Sequence, residues 1–469
     1  MSSRRMKVLK FGGSSVATAP RRATVAGLVA RAAAEGPVTV VTSALGGVTD
    51  LLQRAIRESL EDRRVPDSLL REIERRHLVD DGLREPLEQR LRTLRRLLEG
   101  VALLGQCPPA TRHDILASGE RLALPLVASA LRLQGLEVRC FDGADLLVTD
   151  SADRAEPTVD PVASRCRVEA CLGNRSVSRG MVHLVTGFVA ADVQGRTTTL
   201  GRGASDLSAT LLADLLDADC VEIWSDVDGV LSAPPAWVEH AATLPRLSYA
   251  AAADLARFGA KVLHPLTLEP LERLGIPVWI RNTLRPSAPG TRIDPVGDGT
   301  NLTAVTALED ATLLQFTAND LARLGHVSPL LWVHGSDRSM AAVVRPEDAD
   351  MLTARAVRHG ITLPRTDDVT VVAAVAHGPQ ASSSLASTVH GLLDDAGLPV
   401  LAIALPTTTA DRVATPGRYT VAAVVSGRVG RRAVSLLHAE LKIGIGGSEA
   451  RVSLEPQQSM FSECYDQRV

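Results

Sequence analysis

Short runs of apolar, β-branched residues alternate with segments of helical periodicity through the first part of the chain. The predicted strands are Val38–Val41, Leu136–Phe141, Met181–Val185, Val221–Trp224 and Ile276–Ile280. The predicted helices between them are Arg21–Glu35, Gly119–Gln134 and Ser205–Leu216. This alternation is typical of βαβ units, so we predict an α/β fold with a mostly parallel open sheet flanked by helices. Residues 51–106, rich in Leu, Arg and Glu, are predicted to form a helical insertion.

The pattern changes at Pro286–Thr300, where Pro, Gly and Asp are dense and predict a domain boundary. Beyond it, shorter strands surround single helices. The predicted elements are strands at 312–316, 330–333, 340–344, 369–376, 400–405 and 419–426, and helices at 382–396 and 431–439. From 366 onward their order, βαββα, is typical of a small α+β sandwich. We therefore predict a first domain at 1–295, a divergent α+β unit at 300–365, a second unit at 366–445 and an irregular tail at 446–469.

Composition and charge exclude several functional classes. The 469 residues are 45% hydrophobic, enough to bury substantial cores, and the net charge is −3 with no basic stripe, which argues against a nucleic-acid partner. No run predicts a membrane span or a signal peptide, so we expect a cytoplasmic protein without a membrane partner. The six cysteines fit no common metal spacing and are interpreted as unpaired thiols in a reducing compartment.

The stretch KVLKFGGSS, residues 7–15, places Lys10 beside Gly12 and Gly13 directly after a short apolar run. A Gly-Gly pair after a strand lets backbone N–H groups point at an anion, and a nearby ammonium adds positive charge. The same pattern also occurs at ordinary strand ends. From these residues alone, a phosphate site and a plain turn both remain open.

Four further segments bring charged residues to element junctions. ASGER (117–121) places Glu120 at the predicted start of a helix, and GRGASD (201–206) opens another helix with Asp206. SDVDG (225–229) follows a predicted buried strand, and FGAKVLHP (258–265) carries a lysine and a histidine that we interpret as following another strand. Ligands of open α/β sheets bind at the carboxyl ends of the strands. Each segment alone could be a cap or a turn, but their joint occurrence favours a ligand site.

In this order the motifs resemble those of the aspartate kinases of the amino acid kinase family. The matching segments are KFGGSSV (10–16), VTSA (41–44) with VTD (48–50), SGER (118–121), GRGASD (201–206), WSDVDGV (224–230), GAKVLHP (259–265) and RNT (281–283) with APGT (288–291). The resemblance covers residues 6–295. The βαββα unit resembles the regulatory ACT domains that follow such kinases.

The resemblance implies transfer of a phosphoryl group from ATP, with Mg²⁺, to the β-carboxylate of L-aspartate. The implied catalytic residues are Lys10, Lys261 and Asp206. The implied aspartate-binding residues are Ser43, Thr49, Glu120, Arg202 and Ser205, with Arg202 gripping a carboxylate and Glu120 pairing with the ammonium. The implied nucleotide-binding residues are Lys10, Gly12, Gly13, Ser14, Ser225, Asp226 and Lys261, in which the two glycines offer backbone N–H groups. No dedicated protein metal site is implied, and His264 is interpreted as structural.

The sequence departs from the family pattern after Gly229. Leu231 replaces an aromatic residue, Pro234 an acid, and Ala236 an arginine that contacts phosphate in relatives. Two alternatives therefore remain: a kinase for another small acidic amino acid, and a catalytically weak, amino-acid-binding regulatory subunit. The replacement at His377-Gly378-Pro379 predicts altered feedback control. By resemblance, the ACT-like units predict a homo-oligomer.

Overall fold

A computed structural model describes residues 6–78, 81–173, 181–201, 203–260, 263, 265–297, 304–325, 327, 329–334, 339–377, 385–404 and 418–441. The strands are β1 (Lys7–Phe11), β2 (Val38–Thr42), β3 (Glu137–Phe141), β4 (Val148–Thr149), β5 (Met181–Thr186), β6 (Val189–Asp192), β7 (Thr197–Thr199), β8 (Cys220–Ser225), β9 (Arg246–Ser248), β10 (Val278–Asn282), β11 (Thr291–Asp294), β12 (Ala304–Thr317), β13 (Leu331–His334), β14 (Ser339–Val344), β15 (Arg365–His377), β16 (Val400–Ala404) and β17 (Arg418–Ser426). The helices are α1 (Gly13–Val16), α2 (Ala19–Glu35), α3 (Val48–Asp62), α4 (Asp67–His77), α5 (Arg84–Leu104), α6 (Pro109–Leu133), α7 (Pro161–Leu172), α8 (Ala204–Leu215), α9 (Tyr249–Arg257), α10 (Pro265–Leu274), α11 (Ala318–Leu324), α12 (Pro346–Arg358), α13 (Leu385–Asp395) and α14 (Gly427–Glu440).

An eight-stranded sheet with the order β3-β5-β2-β1-β8-β10-β11-β9 forms the first part of the molecule. Its first six strands are parallel, and only the β10–β11 pair is antiparallel. The predicted α/β class with a mostly parallel sheet is therefore confirmed. Helices cover both faces, which explains why the central strands β1 and β2 are buried at every position. In β1, Leu9 and Phe11 pack into one core and Val8 into the other.

The predicted helical insertion is present as α3, α4 and α5. These helices pack on α6 through a shared core that includes Leu52, Ile73 and Leu94. The predicted start of α6 at Gly119 is wrong, because the helix begins at Pro109 and places Glu120 near its middle. A proline at the first helical turn is favoured because its missing N–H has no intrahelical acceptor there.

The sequence patterns missed a small sheet of order β4-β6-β7 and the last two strands of the large sheet, β11 and β9. These strands are two to four residues long, which is too short for an alternating pattern to be recognised. The small sheet packs on α6 and forms one wall beside the large sheet.

The second part of the molecule contains one antiparallel sheet with the order β13-β14-β12-β15-β17-β16. Its elements follow the order βαββα twice, once from β12 to α12 and once from β15 to α14. The two predicted α+β units are thus both ACT-like, but they share a single sheet because β12 pairs with β15 over most of its length. The predicted tail at 446–469 lies outside the described residues.

The helix α14 also contacts the first part of the molecule through residues 232–238, which we call the docked segment. Ser232 hydrogen-bonds His438 at 2.9 Å, and Arg431 donates a 2.7 Å hydrogen bond to the carbonyl of Ala236. Trp237 packs on the core of the second ACT-like unit. The chain that follows β8 is therefore held by the C-terminal helix.

Within the described ranges, none of the helices combines the length and the apolar character that a membrane span requires. The cysteines of these ranges, Cys107, Cys140, Cys166, Cys171 and Cys220, form no disulfide bonds with one another.

Candidate active site

Three loops meet at the carboxyl ends of β1, β2 and β8. In the sheet register, Phe11 lies opposite Thr42 on one side and Trp224 on the other, so these strands end at the same level. The loops that begin at Gly12, Ser43 and Asp226 are consequently neighbours. This edge is where an open parallel sheet offers room for a ligand.

Gly13 allows the first two loops to approach closely. A Cβ at this position would lie 2.7 Å from the carbonyl oxygen of Ala44, closer than real contacts allow. The carbonyl of Gly13 accepts a 3.0 Å hydrogen bond from the amide of Gly46, which locks the approach. The Gly-Gly pair therefore serves loop packing as well as any ligand contact.

The amide of Gly12 donates a 3.0 Å hydrogen bond to the carbonyl of Trp224. This contradicts the expectation that its N–H points at a phosphate. The reason is that β8 ends beside β1 and offers an acceptor that the sequence of the motif alone does not reveal. A Cβ on Gly12 would lie 3.5 Å from the Lys10 ammonium, an ordinary contact distance, so the space around the lysine does not by itself require a glycine here.

A cavity of about 760 Å³ opens between these loops, α6 and the start of α8. The predicted site residues that line it are Lys10, Gly13, Ser43, Thr49, Glu120, Ser205 and Asp206. They come from four segments separated by up to about two hundred residues in sequence, so their convergence is a property of the fold. Ser14, Ser225 and Asp226 do not line this cavity.

Lys10 and Asp206 form an ion pair across the cavity, with 2.6 Å between Nζ and Oδ1. Both side chains are largely buried, and Asp206 lies in the first turn of α8. The carboxylate fixes the position of the ammonium, since a partly buried pair is screened by water much less than a surface pair. A cation is therefore held in place at the end of β1.

Glu120 is 3% exposed and accepts a 3.1 Å hydrogen bond from the amide of Ala44 through Oε1. Its Oε2 has no hydrogen-bond partner among the described residues. Burial raises the pKa of Glu120 to about 8, against the smaller opposing effects of the Ala44 amide and the Lys10 charge. A buried carboxyl with one unused oxygen in a cavity is suited to receive a cationic group.

Two cavity residues that the sequence analysis did not select support the walls. His113 is bonded through both ring nitrogens, to Thr199 and to the carbonyl of Arg154, each at 2.8 Å. Phe188 has a φ of 65°, a conformation that a bulky residue rarely adopts. The spacing of His113 and Glu120, which places them on one helical face, could have indicated His113. The sequence gives no signal for Phe188.

The loop after β8 forms a separate polar group. Asn282 donates a 2.7 Å hydrogen bond to one carboxylate oxygen of Asp228, and Arg285 pairs with the other. Asp226 is exposed, and its carboxylate has no partner within the part of the chain that the structure describes. Ser225, the last residue of β8, accepts a long 3.5 Å contact at its Oγ from the amide of Val227.

Three predicted positions, Arg202, Lys261 and His264, lie outside the described residues. The segment that carries the last two connects α9 to α10, and its described residues form no strand. The expected strand before His264 falls largely on residues outside the described part of the chain. Of the apolar residues around them, Leu263 packs into the core of the first part of the molecule, and Phe258 packs on strands of the ACT-like sheet.

Comparison with known proteins adds a family match. The model of the amino acid kinase family matches residues 5–282. The chain is 30% identical over 336 residues to the bifunctional aspartokinase/homoserine dehydrogenase of Buchnera aphidicola, covering 69% of this chain and 41% of that protein. It is 36% identical over 293 residues to the lysine-sensitive aspartokinase 3 of Escherichia coli, covering 61% of this chain and 63% of that protein. The chain thus spans less than two thirds of the length of these relatives.

The fold is also similar to that of a solved structure, E. coli aspartokinase III in complex with aspartate and ADP. The TM-score is 0.78 at 26% sequence identity, and the match covers 93% of this chain and 100% of the E. coli chain. The likeness extends through both parts of the molecule.

Proposed function

Because the chain belongs to the amino acid kinase family, we propose that it is an aspartate kinase, which transfers the γ-phosphoryl group of ATP to the β-carboxylate of L-aspartate. One observation carries the proposal: a fixed cation, Lys10, and a buried carboxyl with an unused oxygen, Glu120, line the same cavity. A zwitterionic substrate that attacks a phosphate needs both groups. The names of the similar proteins support the same activity.

The chemistry requires charge neutralisation more than proton transfer. The β-carboxylate of aspartate has a pKa near ~4 and is ionised at neutral pH, so no general base is needed. The difficulty lies in bringing this anion close to a polyanionic phosphate. The fixed positive charge of Lys10 reduces the repulsion between them. The attacking oxygen forms the new P–O bond while the bond to the β-phosphate oxygen breaks and ADP leaves.

Glu120 orients the substrate by pairing with its α-ammonium. The oxygen Oε2 has no other partner among the described residues, and Oε1 is held by Ala44, so the carboxyl offers a single fixed acceptor. Ser43, Thr49 and Ser205 line the same cavity and supply hydroxyl contacts. Arg202 would grip the remaining carboxylate; this assignment rests on the resemblance alone.

Mg²⁺ would arrive with the nucleotide. This ion keeps several waters and takes one or two carboxylates together with the phosphates. The exposed Asp226 carboxylate fits that need, whereas Asp228 is engaged by Asn282 and Arg285. When bound, the ion neutralises charge on the phosphates. No cluster of three or more potential metal-ligating side chains occurs in the described ranges.

The test is formation of aspartyl hydroxamate from ATP, Mg²⁺, L-aspartate and hydroxylamine by the purified protein. We expect product from the wild type and a loss of at least roughly a hundredfold in Lys10→Ala, because a preorganised charge at the transferred group is removed. The control is Glu58→Gln, an exposed change on α3 outside the cavity. Absence of product from the wild type, with aspartate still bound, would reject the kinase proposal.

The same assay separates the two alternatives. A kinase for another small acidic amino acid would form product with that substrate and not with aspartate; the cavity volume of about 760 Å³ leaves space for one. A regulatory subunit would bind an amino acid and form no product with any acid. We also propose that the chain assembles as a homo-oligomer through its ACT-like sheet.

A further inference from the structure

A second cavity of about 530 Å³ lies between α5 and α6, away from the candidate active site. It is lined by Pro86, Gln89, Arg90, Thr93, Leu97, Asp114, Ser118 and Arg121. The α5 residues share one stripe of that helix, and Leu97 packs on the core beneath. The cavity therefore has an apolar floor and a polar, charged rim.

Two guanidinium groups line this cavity, and one of them is unsatisfied. Arg121 donates a 2.6 Å hydrogen bond to Asp142 and lies 3.7 Å from Asp114. Arg90 makes no hydrogen bond or ion pair within the described part of the chain. Burial lowers the pKa of Arg90; the nearby Asp142 carboxylate opposes this effect, and the smaller effect of the Arg121 charge adds to it. A positive charge placed beside another in a cavity is relieved by an anion.

Asp114 adds the opposite charge to the same cavity. Its side chain is 43% exposed, and among the described residues its carboxylate is held only by the 3.7 Å contact with Arg121. A ligand with a carboxylate alone would meet repulsion from Asp114, whereas one that also carries an ammonium would satisfy it. The hydroxyl groups of Thr93 and Ser118 can contribute further hydrogen bonds.

We propose that this cavity binds a free α-amino acid, with its carboxylate on Arg90 and Arg121 and its ammonium on Asp114. The side chain of the ligand would rest against Leu97 and Pro86. The cavity volume is several times that of the amino acid backbone, so it admits a side chain.

The two cavities lie on opposite faces of α6. His113, Leu116 and Glu120 face the candidate active site, whereas Asp114, Ser118 and Arg121 face the second cavity. At 3.6 residues per turn these faces are roughly 130° apart. A ligand in the second cavity would shift α6, the helix that positions Glu120. The effect of this shift on aspartate binding rests on the proposed function.

The experiment measures binding by calorimetry without nucleotide, using each of the common L-amino acids other than aspartate and also inorganic phosphate. We expect at least one amino acid to bind the wild type and to lose affinity at least tenfold in Arg90→Ala and in Thr93→Trp, which fills the cavity. Both positions are exposed, so the variants should fold. Arg92→Ala, on the same helix but outside the cavity, is the matched control and should bind as the wild type does.

Three results would overturn the proposal: no binding of any amino acid, binding that both cavity variants leave unchanged, or binding of phosphate alone. A bound amino acid should also shift the KM for aspartate at least twofold in the wild type and not in Arg90→Ala. Because calorimetry needs no turnover, an inactive protein would reject the proposed kinase activity while leaving the binding result intact.

Discussion

The backbone amide of Ala44 holds one oxygen of the buried Glu120 and leaves the other without a partner among the described residues. The loop after β2 thereby positions a carboxyl that is carried by α6. Since the same loop also contacts Gly13, a shift of any one of these elements changes the shape of the cavity.

The KM for aspartate should depend on pH through Glu120. Burial raises the pKa of this group to about 8, so below pH 8 it is mostly protonated in the empty site. The substrate ammonium prefers the carboxylate, and KM should rise by roughly tenfold per pH unit as the pH falls from 8 to 6. Steady-state kinetics across this range measure the effect. Glu120→Gln should raise KM and flatten the profile, and a flat wild-type profile would contradict the role of Glu120.

Asp206→Asn should lower kcat more than it changes the KM for aspartate. The substitution keeps the size of the side chain but removes the charge that fixes Lys10 at 2.6 Å. A misplaced cation stabilises the transferred phosphoryl group less, and we expect a loss of roughly a hundredfold in kcat. Asp62→Asn, an exposed change at the end of α3, is the control. An unchanged kcat in Asp206→Asn would show that the ion pair has no part in transfer.

Gly119→Ala should destabilise the protein and weaken aspartate binding together. The added Cβ would lie 2.9 Å from the Cβ of Ala44, which forces α6 and the loop apart. Overpacking of this kind costs about 1–3 kcal/mol. The matched control is Gly100→Ala in α5, where nothing lies within 4 Å, and it should instead stabilise by about 0.5–1 kcal/mol. Denaturant titration of both variants tests the contrast; equal effects would disprove it.

Trp237→Ala should raise the KM for ATP and leave the KM for aspartate unchanged. The indole packs the docked segment on the second ACT-like unit, and its loss would free the chain that follows Asp226. Arg428→Ala, exposed on α14, should leave both constants as in the wild type. A rise in the KM for aspartate of the same size would instead indicate general unfolding, which thermal denaturation would detect.

Sequence patterns predicted the elements with long, regular periodicity. The central parallel strands and the helices α2 and α8 were found within a few residues, because the strands are rich in buried apolar residues and the helices repeat apolar residues at helical spacing. The start of α6 was missed because residues 109–118 mix polar and apolar positions, and because SGER resembles a helix opening. The short strands β4, β6 and β7 carry too few residues for any periodicity.

The candidate site was predicted in its residue types but not in its hydrogen bonds. Lys10, Glu120 and Asp206 converge on one cavity as the motif order suggested. The engagement of the Gly12 amide by Trp224 depends on the register between β1 and β8, which no local pattern encodes. The support that His113 gives to the wall likewise depends on Thr199, a residue far away in sequence.

The single sheet shared by the ACT-like units constrains how this chain can change over evolution. The long strands β12 and β15 pair with each other, so removing the second unit would strip β12 of its partner over Ala304–Leu314. An unpaired strand of that length is a template for aggregation. Deletion or exchange of one unit by recombination should therefore be selected against, and the two units are expected to be inherited, lost or replaced as a pair.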